Sequence, residues 1–137
     1  MASELKLELQ PTTRAGQLAR EEIRVRFGDN MPAPLMHDLT VVASELIANA
    51  VQHGPGNPIR VRIELGDDGI VRGEVADGGR GTVAIRHSDD PIDGLGLHIV
   101  DWLTDRWSVR EGTSDVVFEM SAGDPPEPAR DLQADSV

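Results

Sequence analysis

The chain has no cysteine and no tyrosine, a single lysine, and only two Phe and two Trp in 137 residues. Without thiols there is neither a disulfide nor a thiolate-bound metal, which fits a reducing compartment. With so few aromatics, the core is left to Leu, Val, Ile and Ala. No apolar run approaches the roughly 18 residues that span a bilayer, and the N-terminus carries no signal-peptide pattern. A soluble, cytoplasmic protein with no membrane association is expected. Cations are also scarce, 13 against 24 acids, for a formal net charge of -11. Affinity for nucleic acid comes mainly from clustered Lys and Arg, and no cluster is present, so no direct nucleic-acid partner is expected.

What remains is enough for one domain with a real core. Glu4 to Leu9 alternates polar and apolar residues and predicts an edge strand. Thr12 or Thr13 is placed to cap a helix running to about Phe27, stopped by Gly28-Asp29-Asn30. Leu35, Leu39, Val42, Ala43, Leu46, Ile47 and Ala50 then recur at helical spacing, with Pro32 and Pro34 at the start and Gly54-Pro55-Gly56 at the end. Ile59, Val61, Ile63 and Leu65 alternate with charged residues, Asp67-Asp68-Gly69 is a hairpin turn, and Ile70 to Val75 is the next strand. Residues 82 to 93 have no sustained period and read as a loop. Leu95 to Leu103 is a short helix, and strands follow near Trp107 to Arg110 and Val116 to Met120. Trp102 and Trp107 are expected in the core. Residues 1–121 form the domain, and the Pro- and acid-containing residues 122–137 are expected to be a disordered tail, dispensable for folding. The element order predicts an α+β two-layer sandwich, with helices on one face of a mixed, mainly antiparallel sheet.

Three polar or glycine-rich signals fall in a fixed order on this frame. Glu45, Asn49 and His53 form one stripe along the edge of an apolar helix face, since four residues nearly complete one turn. A carboxylate and an amide so close to core positions need partners, because burying them unpaired costs roughly 1–3 kcal/mol each. Asp77-Gly-Gly-Arg-Gly81 ends a strand. There a carboxylate accepts from an exocyclic amine such as that of adenine, while Gly79 and Gly81 let the backbone approach a flat ring. Alone, the same residues serve equally well as an ordinary turn, with Arg80 solvated. Gly94-Leu95-Gly96-Leu97 opens a helix after the loop, where free N–H groups and the helix dipole suit phosphate oxygens. Gly79, Gly81 and Ala84 also fit a dinucleotide-binding fingerprint by spacing, but no helix follows at once and no βαβ repeat exists. A phosphate-binding loop of the G-x-x-x-x-G-K type is absent.

Taken together, these motifs resemble the GHKL (Bergerat-fold) ATP-binding superfamily of gyrase, heat-shock chaperone, histidine kinase and mismatch-repair ATPases, over residues from about 12 to 120. The small size, the position of Glu45 and the phrase from Gly94 to Trp107 are similar to the anti-sigma-factor serine/threonine kinases. The resemblance implies ATP and Mg²⁺ as cofactors, with Glu45 as the general base that orients the attacking hydroxyl and Asn49 coordinating Mg²⁺. It implies Asp77 binding the adenine amine in a pocket shaped by Gly79 and Gly81, and Gly94, Leu95, Gly96 and Leu97 binding phosphates under a lid of residues 82–93. Thr113 matches a family threonine that supports adenine through water, whereas many relatives have Asn where Gly78 stands, and Ser114-Asp115 reads as an insertion. His53 either touches phosphate or only complements the helix dipole. The implied partners are an anti-sigma-factor antagonist protein and a sigma factor, and the implied assembly is a homodimer. The alternative is a non-catalytic, ATP-dependent module that sequesters a regulatory partner.

Overall fold

The computed structural model describes residues 3–80 and 95–122. Five strands and three helices follow in the order β1 (Ser3–Leu9), α1 (Ala15–Phe27), α2 (Ala33–His53), β2 (Ile59–Leu65), β3 (Ile70–Ala76), α3 (Leu95–Leu103), β4 (Arg106–Val109) and β5 (Val116–Ser121). The strands form one sheet in the order β1-β2-β3-β5-β4. Odd-numbered residues of β1, β2 and β3 point inward, so Leu5, Leu9, Ile59, Val61, Ile63, Val71 and Val75 meet the helix layer. Ile23, Phe27, Leu39, Val42, Ile47 and Val100 close on them from the helices, each almost fully buried. Burial of that kind contributes roughly 1.5–3 kcal/mol per large side chain. Polar residues, among them Glu4, Lys6, Arg60, Arg62, Arg72 and Glu119, take the opposite face of the sheet, where Arg62–Glu4 and Arg72–Glu119 pair at 2.8 and 3.6 Å.

The two-layer α+β architecture matches expectation, but every hydrogen-bonded pair among the described residues is antiparallel. The connections explain this. Two helices separate β1 from β2, so the chain returns reversed, and the single-helix crossover from β3 to β4 leaves those two strands co-directional with β5 inserted between them. Two local expectations fail. Helix α1 begins after Arg14 with no side-chain cap, because the Thr12 hydroxyl accepts the Arg14 N–H (3.2 Å) and closes the turn before the helix. Trp102 is not in the core: it is 84 % exposed, since Leu97, Val100 and Leu103 already fill the inward face of α3. Trp107 does pack against the core, and its indole N–H donates to Asp101 at 2.9 Å. The expected loop at 82–93 and most of the expected tail lie outside the described residues. No helix among those described is long and apolar enough to cross a membrane.

One glycine is fixed by packing. Gly73 faces Phe118 across the β3–β5 pair, and a Cβ there would overlap the Phe118 ring. Gly73→Val should therefore destabilise the domain by about 1–3 kcal/mol through overpacking in the sheet centre. Urea unfolding checks this, and a midpoint equal to wild type would contradict it.

Candidate functional site

Asp77 is the residue immediately after β3, and it is only 8 % exposed. Its Oδ1 accepts the Gly79 backbone N–H at 2.9 Å and the Ser114 hydroxyl. The first bond is an Asx-type turn, permitted by the left-handed backbone of Gly78 (φ 77°). The Ser114 N–H donates to the Gly79 carbonyl at 3.2 Å, so the β4–β5 turn and the chain leaving β3 are clamped around one carboxylate. The other oxygen, Oδ2, makes no hydrogen bond among the described residues. It points toward the end of α2, where a Cβ added at Gly54 would stand 2.9 Å from it. A buried carboxylate with one oxygen satisfied and the other open is suited to a ligand that donates from an amine.

Helix α2 carries the next part of the site. Glu45 and Asn49 are half-buried at the edge of its apolar face, and His53 is exposed in its last turn. At 1.5 Å rise per residue, Asn49 stands about 7 Å and Glu45 about 13 Å along the axis from the Gly54 end that abuts Asp77. Asn49 and Glu45 thus lie successively farther along α2 from the end that abuts Asp77. Leu95 and Gly96 open α3, which packs beside α2, and the Leu97 side chain is buried in the core, leaving only its backbone for a ligand. Gly81 and Gly94 lie outside the described residues, as does the lid expected between them. Arg80 is exposed.

Thr113, which the resemblance gives to adenine through water, lies in the β4–β5 turn beside Ser114. The Thr113 hydroxyl donates to the Arg110 carbonyl (2.8 Å) and accepts the Asp115 N–H (3.0 Å), closing the β4–β5 turn. Ser114 is the residue on Asp77. Sheet register explains the difference: Val75 pairs with Val116, and continuing that register by two residues sets Ser114 opposite Asp77. Nothing in Thr113-Ser114-Asp115 as a string distinguishes one hydroxyl from the other. Next to it, burial pushes the Asp115 carboxyl up from its usual range; the like charges of Glu74 and Asp77 add to this, while Arg110 opposes it. The Asp77 end of the site is therefore acidic and suits a base rather than phosphates.

A helix bearing Glu and Asn over an antiparallel sheet, ending against a buried Asp at the close of a strand, defines a nucleotide-binding domain of the GHKL class. The family model described as "Histidine kinase-like ATPase domain" matches residues 9–121, and the chain belongs to that family. It is accordingly an ATP-binding domain. A solved structure of the RsbU and RsbW domains of Rv1364c from Mycobacterium tuberculosis is similar in fold, with a TM-score of 0.66 and 24% identity. That match covers 95% of this chain and 34% of the other, so the chain spans about a third of the solved protein's length. No curated protein matches the chain.

ATP fits the Asp77 end on its chemistry, since the open Oδ2 can take the adenine amine. Ser114→Ala should lower ATP affinity by about 0.5–1.5 kcal/mol, the net worth of the hydrogen bond that fixes the carboxylate. Ser114→Thr, which keeps the hydroxyl, should restore it. Calorimetry giving wild-type affinity for Ser114→Ala would contradict the clamp.

Proposed function

We propose that this domain is a regulatory protein kinase of the anti-sigma-factor type. It passes the γ-phosphoryl group of ATP to a Ser or Thr on an antagonist protein and, in alternation, holds a sigma factor. The observation that carries the reading is the placement of Asp77 against the end of the same helix that bears Asn49 and Glu45. Asp77 binds the adenine amine with Ser114 and the Gly79 backbone holding it in place, and Gly81 shapes the same pocket. The backbone from Gly94 through Leu97 takes the phosphates, with His53 at the margin. Asn49 would hold Mg²⁺, which when bound neutralises the phosphate oxygens. Glu45 takes the proton of the acceptor hydroxyl as its oxygen bonds to the γ-phosphorus and the bond to the bridging oxygen breaks, leaving ADP. The acting form is a cytoplasmic homodimer.

A half-buried Glu45 on this helix favours the kinase over a module that uses ATP only as a structural ligand, since a pure binder has no need of a base. The experiment is incubation with γ-labelled ATP, Mg²⁺ and candidate antagonist proteins. Label on a Ser or Thr of one antagonist is expected. Absence of transfer to any of them, with ATP still bound, would leave the sequestering module as the better reading.

A further inference from the structure

The β4 strand closes one side of the sheet and pairs only with β5 among the described residues. Open strand edges are normally blunted or covered. This one carries a definite pattern: Arg106, Ser108 and Arg110 on the outer face, and Trp107 and Val109 toward the core. Arg106 is 78 % exposed and only loosely paired, with Glu119 at 3.7 Å. Arg110 is 54 % exposed and bonded to Glu74 at 2.8 Å. Trp102 lies next to Asp101, which accepts the Trp107 indole N–H, so a second, bare indole stands at the same end of the domain.

The edge is poorly made for a second copy of itself. Antiparallel self-pairing about Ser108 would set Arg106 against Arg110 of the copy, and like charges directly opposite are destabilising. A fitting occupant has acids four residues apart and apolar residues one and three places after the first acid. The C-terminal segment of this chain reads Asp131-Leu132-Gln133-Ala134-Asp135. It matches Arg106-Trp107-Ser108-Val109-Arg110 position by position, in either strand direction. It also lies beyond residues 9–121, the part shared with the family.

The tail starts in the right place. β5 ends at Ser121, whose hydroxyl donates to Asp105 at 2.8 Å, immediately before β4 begins. The β4 edge is one strand spacing, about 5 Å, farther on. The nine residues from Ala122 to Arg130, with three prolines among them, reach up to about 28 Å at roughly 3.1 Å per residue. The outer face between β3 and β4 holds a shallow concavity of about 520 Å³ lined by Arg72, Arg106, Arg110 and Glu119.

We propose that the β4 edge, with Trp102 beside it, is a docking strand for this chain's own segment Asp131–Asp135. Docking covers the bare edge of β4. The inference does not depend on the kinase reading, because the edge lies at the far side of the sheet from β1 and involves none of the ATP-site residues.

The test uses the full-length protein and its Asp131→Lys/Asp135→Lys variant, which alters nothing within the domain. Amide exchange at Trp107 and Val109 should be roughly tenfold faster in the variant, as expected for exposure of an edge strand. Adding Arg106→Glu/Arg110→Glu to that variant should restore protection, and raising the salt concentration should erase the difference between wild type and variant. Equal exchange in wild type and variant would overturn the proposal. So would protection that grows with protein concentration, because the tail would then be pairing with another molecule.

Discussion

Glu45→Ala should still bind ATP while its phosphotransfer to the antagonist protein falls by roughly 10²–10⁴, the usual worth of a positioned general base. The separation follows from the layout of α2. Glu45 stands about 13 Å along the helix from the end that meets Asp77, so it contributes nothing to adenine recognition. Its side chain is half-buried and outside the core cluster, so truncation should leave no large cavity. Asn49→Ala should behave differently: with the proposed metal ligand gone, both Mg²⁺-dependent ATP affinity and transfer drop together. Quenched-flow transfer combined with equilibrium ATP binding separates the two variants. Wild-type transfer by Glu45→Ala would remove the base from the mechanism.

Asp77→Ala is expected to weaken ATP binding by about 1–3 kcal/mol, or roughly five- to 150-fold, through loss of a bond between a buried carboxylate and an amine. Truncation also releases the Gly79 N–H and the Ser114 hydroxyl, which lose their common acceptor. Some loss of thermal stability should therefore accompany the loss of affinity. Asp77→Asn separates these effects, because its amide oxygen can still accept from Gly79 and Ser114 while the group facing the ligand changes from acceptor to donor. The Asn variant should fold as well as wild type and still bind ATP poorly.

Most of the frame was legible because its signals are strictly periodic. The 21-residue α2, bracketed by Pro32 and Gly54, and the alternating β2 strand follow directly from apolar spacing. The failures occur where tertiary context decides. Trp102 is as apolar as Trp107, and only the packing of α3 on α2 and β4 shows that Leu97, Val100 and Leu103 already fill that helix's inward face. Thr12 is a good capping residue by type, but the chain turns one step too early for it. In the site, Asp77 and the Glu45–Asn49 stripe stand out as polar residues at apolar-facing positions. Ser114 does not, because its contact with Asp77 depends on the β3–β5 register 37 residues away in the chain.

The measurement that bears most directly on the site is a calorimetric titration of the wild type and Asp77→Asn with Mg-ATP and with Mg-GTP. In the proposed role, the Asp77 Oδ2 would accept from the amine of adenine, whereas guanine would set its O6 acceptor against it. The wild type should therefore bind ATP much more tightly than GTP, and Asp77→Asn, with a donor at that point, should lose most of this preference. Equal affinities of the wild type for the two nucleotides, or an Asp77→Asn variant that keeps the full preference for ATP, would contradict it.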